Sequence, residues 1–271
     1  VDTDGDGFSD ADEATLGTDP NDPTSPLENK LTASDGAHGD YFSRSVSVSG
    51  NTAVIGAVYN DKNYSYDSGS AYVYVRSEGV WSQQAKLTAS DAAQNDHFGY
   101  SVSIDGDTIV IGAVYDGPLG DASGSAYIFF RSNVLWTEQQ KLFPSDGASW
   151  DFFGNSLSID GDTVVIGAAY DDDDGADSGS AYVYTRTNGI WTAQQKLTAS
   201  DAAQYDNFGH SVSIDGDTVL IGAYGDDDNA DYSGSSYVYT RTSGLWTEQQ
   251  KLTASDAAQD DKFGYSVSID G

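Results

Sequence analysis

Neither cysteine nor methionine occurs among the 271 residues, and proline occurs only 5 times. Without cysteine no disulfide can close the fold, thiol chemistry is shut out, and the redox compartment leaves no signature. Without methionine no initiator residue is present, so the sequence reads as a processed or excised piece. Basic side chains are also scarce, 12 against 43 acidic ones, for a formal net charge of -31. A phosphate backbone would be repelled at every approach, which excludes a nucleic-acid partner. No run of about 18 apolar residues is long enough to span a membrane. No positively charged, apolar leader stands at the start. The chain therefore reads as soluble, with no membrane insertion.

What is present follows from the same imbalance. So many like charges repel one another in a compact state, so cations become part of the folding problem. Tyrosine (18), phenylalanine (10) and tryptophan (5) are plentiful, and glycine reaches 30. That balance favours β-strands joined by tight turns.

The chain repeats itself. One unit begins at Lys30, Lys86, Lys141 and Lys196, and a fifth copy starts at Lys251 and breaks off at Gly271, with spacings of 56, 55, 55 and 55 residues. Periods of this size mark solenoids, propellers or arrays, in which each unit buries its apolar faces against its neighbours. The third unit contains four β-like runs, Phe153 to Ile159, Thr163 to Ala168, Ser180 to Arg186 and Trp191 to Thr198. Each is short and rich in β-branched or aromatic residues, and none of the repeat has helical periodicity. Asp160-Gly161, repeated as Asp105-Gly106 and Asp215-Gly216, predicts a type I′ hairpin between the first two strands. Four strands per unit make a propeller blade.

These residues resemble the FG-GAP repeats of integrin α-subunit propellers and their bacterial relatives. The first landmark is Phe98-Gly99, Phe153-Gly154, Phe208-Gly209 and Phe263-Gly264, with Phe42-Ser43 as a degenerate copy. The second is Gly56-Ala57, Gly112-Ala113, Gly167-Ala168 and Gly222-Ala223. The resemblance covers residues 30 to 271, and the Ser-Gly-Ser-Ala-Tyr strand is closest to the bacterial branch. It implies an all-β fold, a β-propeller of four-stranded antiparallel blades, with four full repeats (30–85, 86–140, 141–195, 196–250) and a partial fifth (251–271). In integrin-type blades the calcium loop lies between the first and second strands, where this chain has only the Asp-Gly hairpin. Those ligands cannot be carried over.

Antiparallel strands sort the charges onto one rim. The link between blades contributes Asp35 and Asp40, Asp91 and Asp96, Asp146 and Asp151, Asp201 and Asp206, and Asp256 and Asp261. The loop after the second strand contributes a second set, densest at Asp171, Asp173 and Asp177 and at Asp226, Asp228 and Asp231. Carboxylates crowded in this way raise one another's pKa unless cations intervene. Oxygen ligands suit calcium, so these six residues are candidate ligands; solvated turn formers are the competing reading.

Ahead of the repeats, Asp2, Asp4, Asp6, Gly7, Phe8, Asp10 and Glu13 fit a twelve-residue EF-hand-type calcium loop. Phe8 would offer its backbone carbonyl, and Glu13 both carboxylate oxygens. Ala14 to Gly17 suggests one short helix, with no amphipathic helix behind it. The segment 1–22 resembles a thrombospondin type 3 repeat of bacterial surface proteins, which implies a calcium-stiffened spacer; 23–29, with Pro23 and Pro26, reads as a linker.

No catalytic constellation emerges. His38, His97 and His210 fall at different repeat positions, and histidine sites need converging partners. No serine sits in a nucleophile elbow, and aspartate pairs on every blade argue for structure, because an active site is normally singular. Trp81, Trp136, Trp191 and Trp246 are expected to pack between blades, and Arg76, Arg131, Arg186 and Arg241 to pair with hairpin aspartates or stack on those tryptophans. Trp150, Tyr205 and Tyr232 break the repeat in rim loops and are candidate ligand-binding aromatics. The expected function is a non-catalytic, extracellular or cell-surface calcium-binding adhesion or structural module. It would bind a protein or polysaccharide at the acidic rim and could associate with copies of itself through open strand edges. A lectin-like carbohydrate-binding module and an accessory domain of a secreted hydrolase remain the alternatives. Lys30 to Ala33 and Phe263 to Ile269 are expected to be strands that share a closing fifth blade, or that pair between copies.

Overall fold

The computed structural model describes residues 30–61 and 66–270, with Thr3, Ser9–Ala11 and Asn21. Of the amino-terminal ligand set only Asp10 falls among them; Asp2, Asp4, Asp6, Phe8 and Glu13 lie outside the described residues, as does the expected helix at Ala14 to Gly17.

Among the described residues, sixteen strands form four separate antiparallel sheets, each a simple meander. Blade 1 comprises β1 (Phe42–Ser49), β2 (Thr52–Ala57), β3 (Ser70–Ser77) and β4 (Val80–Leu87). Blade 2 comprises β5 (Phe98–Asp105), β6 (Thr108–Ala113), β7 (Ser125–Ser132) and β8 (Leu135–Leu142). Blade 3 comprises β9 (Leu157–Asp160), β10 (Thr163–Ala168), β11 (Ser180–Thr187) and β12 (Ile190–Leu197). Blade 4 comprises β13 (Phe208–Asp215), β14 (Thr218–Ala223), β15 (Ser235–Thr242) and β16 (Leu245–Leu252). The first strands β1, β5, β9 and β13 are successive neighbours and make the inner wall. The second strands of blades 1 to 3 are buried throughout, as a central strand covered on both faces requires, whereas Thr218 and Leu220 of β14 in the last blade are only partly buried.

The Asp-Gly hairpin forms, but not as the expected turn. Its two central residues are Gly106 and Asp107, and only the glycine takes positive φ, 54°. That matches a type II′ turn, with glycine at the first central position, whereas type I′ needs positive φ at both. The I′ pattern lies instead between β3 and β4, where Glu78 and Gly79 have φ of 51° and 83°.

The core lies between blades. Val54, Ala71, Val73 and Leu87 of blade 1 pack against Phe98, Val102, Ile104, Ile111 and Trp136 of blade 2, and the next two interfaces repeat the arrangement. The two glycine landmarks prove to be one contact. A Cβ on Gly167 would lie 1.9 Å from the carbonyl oxygen of Gly209 in the following blade, and Gly56, Gly112 and Gly222 meet Gly99, Gly154 and Gly264 likewise. Main chain touches main chain there, and any side chain would push the blades apart. Ser156 Oγ donates to the same Gly209 oxygen at 2.7 Å, which accounts for the serine two residues after each Phe-Gly. Among the described residues no blade precedes the degenerate Ser43, which takes φ 72°.

Three of the four repeat tryptophans pack between blades as expected, whereas Trp81 of blade 1 is only partly buried and, among the described residues, Arg76 has neither the ion pair nor the ring contact expected of it. Trp136, Trp191 and Trp246 are buried, and the guanidiniums of Arg131, Arg186 and Arg241 lie about 5 Å over their rings. The same arginines pair with the hairpin residues Asp107, Asp162 and Asp217 at 2.6 Å, so both roles expected of them coexist. Each also donates to a threonine of the preceding blade, as Arg186 does to Thr108 at 2.9 Å.

The ends of the array differ from its middle. Val46 and Val48 are 62% and 61% exposed, where their equivalents Val102 and Ile104 are 8% and 5% exposed. Neither Lys30 to Ala33 nor Phe263 to Ile269 is a strand, and among the described residues no hydrogen bond joins them. Lys30 to Ser34 instead occupies the place of a preceding blade's last turn, with the Tyr74 hydroxyl donating to Thr32 O as Tyr239 does to Thr198 O. The first-strand segment of the fifth repeat lies along β13, where Ile269 N donates to Ser213 Oγ at 3.1 Å.

Candidate functional site

The lysine that opens each repeat belongs structurally to the last strand of the blade before it, opposite a tyrosine of the third strand: Lys251 faces Tyr237 and Lys196 faces Tyr182. From there its ammonium reaches the rim, where the blade link and the loop after the second strand converge, as the topology predicted. Lys251 Nζ lies 2.8 Å from Asp201, 2.6 Å from Asp226 and 2.6 Å from Asp228. Lys196 binds Asp146, Asp171 and Asp173 at 3.1, 2.9 and 2.6 Å. The set shrinks toward the amino terminus: Lys141 holds Asp91 and Asp116, and Lys86 holds Asp35 and the Asn60 side-chain oxygen. Tyrosine completes each cluster, with the Tyr237 hydroxyl donating to Asp201 and Asp226 at 2.8 and 2.9 Å.

Among the described residues, Asp201, Asp226 and Asp228 are brought within metal-ligand distance of one another. The cation the structure places among them is the ammonium of Lys251. Of the six rim candidates, Asp171, Asp173, Asp226 and Asp228 thus converge on lysines. Asp177 and Asp231 do not: Asp177 N donates to Asp172 Oδ1 at 2.7 Å, and the Asp231 carbonyl accepts from Asp260 N. Sequence reasoning missed the lysines, although their place at the head of every repeat was the available signal.

The two aspartates of each blade link do different work. The first is the lysine partner. Burial opposes the charge on Asp201, but hydrogen bonds from Lys251 and Tyr237 outweigh it and lower its pKa. On Lys251 burial likewise opposes the charge, and its bonds to Asp201, Asp226 and Asp228 win, raising its pKa. The second aspartate is a buried turn former. Asp206 Oδ2 accepts from Ala203 N at 2.8 Å. Burial raises its pKa to about 6, opposed by that N–H and reinforced by Asp226. Asp151 reaches about 6 for the same leading reason.

A carboxyl that holds its proton more tightly when folded contributes stability below its unfolded pKa, and that stability is lost as pH rises through the folded value. For Asp206 the window runs from 3.8 to about 6. Asp206→Asn keeps an acceptor for Ala203 N and removes the charge. It is expected to stabilise the fold at pH 7.5 by about 1–2 kcal/mol and to lose that advantage by pH 4. His97 and His210, whose pKa burial lowers, act in the opposite sense below 6.5. They cancel in the difference between variant and parent. Thermal melts at both pH values read the effect, and an advantage equal at the two would exclude the charge as its cause.

The aromatic candidates divide. Tyr205 and Tyr232 line one cavity of about 260 Å³ with Asp227, Asp231 and Asp260. Trp150, 55% exposed, occupies the equivalent place one repeat earlier and contacts Phe152 at 6.0 Å between ring centroids. A larger aromatic feature was not anticipated. At the same rim, Tyr41, Tyr59, His97, Tyr115, Phe152 and Tyr170 form an unbroken series of edge-to-face contacts with centroids 4.5 to 5.2 Å apart. A side-chain hydrogen bond links Tyr170 to Tyr224, and His210 and Tyr265 continue the series. Its members flank the Phe-Gly pair or follow the second strand. The recurrence of Tyr59, Tyr115 and Tyr170 after the second strand was the available signal.

His97 and His210 are members of the aromatic series, and among the described residues neither pairs with a carboxylate.

Residues 2–23 match the bacterial TSP3 repeat. No curated protein matches the chain in sequence. Among the described residues, no helix is long and apolar enough to cross a membrane. Residues 27–74, 81–129, 136–184, 191–239 and 246–271 each match the FG-GAP repeat, in step with the glycine contacts and lysine clusters of the blades, and the chain belongs to the FG-GAP repeat family.

Proposed function

We propose that the chain is a non-catalytic, extracellular adhesion or structural module of a bacterial surface or secreted protein, joined to a calcium-binding amino-terminal segment. The observation that carries this reading is repetition. Every blade sets a lysine, a tyrosine and at least one aspartate in the same place, whereas catalysis needs one site with distinct roles. FG-GAP repeats are typical of extracellular proteins, which supports the location.

For calcium, the support is the bacterial TSP3 match together with an all-oxygen donor set. Asp10 fits it: Thr3 N and Thr3 Oγ1 donate to its two carboxylate oxygens at 2.8 Å each. These bonds, the Oγ1 bond first, lower its pKa and keep it an anion. Asp2, Asp4, Asp6, the Phe8 carbonyl, Asp10 and Glu13 would hold the ion, which would supply the positive charge that stiffens the segment.

A second reading, association between copies, has its own observation in the exposed Val46 and Val48. That face is the one every later blade buries against its predecessor, so the matching occupant is a blade of a second copy, in a head-to-tail contact. One set of samples tests both readings. Calcium titration is expected to give heat with the parent and none with Asp2→Ala/Glu13→Ala. Light scattering is expected to show dimers or larger species that Val46→Lys/Val48→Lys returns to monomer. Absence of calcium heat overturns the first reading, and a monodisperse parent overturns the second.

A further inference from the structure

In a chain with 43 acidic residues, two adjoining axial cavities are lined without one carboxylate. The larger, about 240 Å³, is bounded by Arg44, Tyr100, Asn155, Tyr170, His210 and Tyr265. The smaller, about 120 Å³, shares Tyr100, Asn155 and Tyr170 and extends to Tyr115 and Phe152 of the aromatic series. The residue that follows the Phe-Gly pair differs along the array, as Arg44, Tyr100, Asn155, His210 and Tyr265. Within the first strand, then, the repeats agree where they touch a neighbouring blade and diverge where they face this space.

Arg44 is the anomaly. Its guanidinium lies 4.2 Å from the centroid of the Tyr100 ring, and among the described residues no carboxylate pairs with it, although Arg131, Arg186 and Arg241 each hold one. An arginine resting on an aromatic face keeps its planar fork open for a bidentate anion. Asn155 is already committed, its Nδ2 donating to Gly209 O and His210 O and its Oδ1 accepting from Ala169 N, so it shapes the wall. Tyr265 is 58% exposed and offers a second aromatic surface. A cationic ligand would suit aromatic faces, but Arg44 repels it from the same space. The rim carboxylates do not forbid an anion: those nearest the lysines are paired, and the rest are screened over about 8 Å at physiological salt.

We propose that the axial cavity binds one carboxylate-bearing pyranose ring, a uronate unit of an acidic polysaccharide, with its carboxylate on Arg44 and its apolar C–H face on a tyrosine. Aromatic rings accept such faces while leaving the hydroxyls wet, and the small volume admits one unit rather than a chain segment. The site is separate from the calcium segment and from the Tyr205 and Tyr232 cavity, so it stands or falls independently of both.

The test is calorimetric titration of the full chain with trigalacturonate and with neutral maltotriose, in EDTA so that no calcium bridges uronate to the rim. Trigalacturonate is expected to bind with a Kd of about 1 mM or tighter, on the order of tenfold tighter than maltotriose. Arg44→Gln is expected to erase that preference, Tyr265→Ala to weaken both sugars, and Tyr205→Ala to change neither. Arg44 is exposed and makes no side-chain hydrogen bond among the described residues; an unchanged melting curve verifies that its variant is folded. No heat with trigalacturonate, equal affinity for maltotriose, or undiminished preference in Arg44→Gln overturns the proposal.

Discussion

Replacing Gly167 by alanine is expected to cost the fold about 3 kcal/mol or more, a loss in the range reserved for core disruption. The added methyl would stand 1.9 Å from the Gly209 carbonyl oxygen and 2.4 Å from Ser156 Oγ. The first of these is backbone and cannot rotate away, so blade 4 must shift relative to blade 3. The proper control is Gly161→Ala. Gly161 has positive φ, 54°, but nothing within 4 Å of its prospective Cβ, so only the left-handed conformation penalises the substitution, by about 1–2 kcal/mol. Urea unfolding of both variants separates contact from conformation. Equal losses would show that the glycine pair does not set the blade interface.

Lys251→Met carries the other large effect. It leaves Asp226, whose side chain is 3% exposed, without its cation, and strands Asp201 and Asp228 beside it. Removing one partner of a buried ion pair typically costs about 3–5 kcal/mol. The equivalent change in blade 1, Lys86→Met, loses a single carboxylate partner, Asp35, whose side chain is 51% exposed, and is expected to cost about 1 kcal/mol. The deficit of Lys251→Met should shrink as pH falls toward 4, because protonation discharges the carboxylates it strands. Melting temperatures of the two variants at pH 7.5 and pH 4 read both the ranking and the pH dependence. Equal effects at blades 1 and 4 would mean that the number of carboxylates around the lysine is irrelevant.

Much of the architecture was legible because the sequence states it five times. The four strands of blade 3 lie within a few residues of their expected bounds, apart from Phe153 to Asn155, which pack on the neighbouring blade before β9 begins. That early stretch belongs to the interface, where backbone meets backbone, and side-chain alternation carries no trace of it. The hairpin was placed correctly and its turn type was not, because Asp-Gly suits either geometry and only the offset of one residue in pairing decides.

The rim was legible as a position and opaque as a mechanism. Charge counting and antiparallel topology put both sets of aspartates on one edge, and the clusters at Asp201, Asp226 and Asp228 bear this out. Which cation faces them depends on Lys251 standing opposite Tyr237 across a strand pair, and that register crosses the boundary drawn between repeats. A unit defined by sequence begins at lysine, while the blade ends with it. The aromatic series was hidden for a related reason: it alternates a recurring tyrosine after the second strand, Tyr59, Tyr115 and Tyr170, with variable residues beside the Phe-Gly pair, and only assembly around an axis makes neighbours of Tyr59 and His97.

Because adjoining blades meet through paired glycines, the wedge between them is dictated by polypeptide backbone and is indifferent to side-chain bulk. Rim loops can therefore change composition, as the stretch from Asp116 to Asp121 and the aligned stretch from Asp171 to Ala176 already do, while the angle from one sheet to the next stays put. A lineage building on such a joint can duplicate, swap or diversify blades as interchangeable parts, so novelty accumulates along the edges without bending the frame.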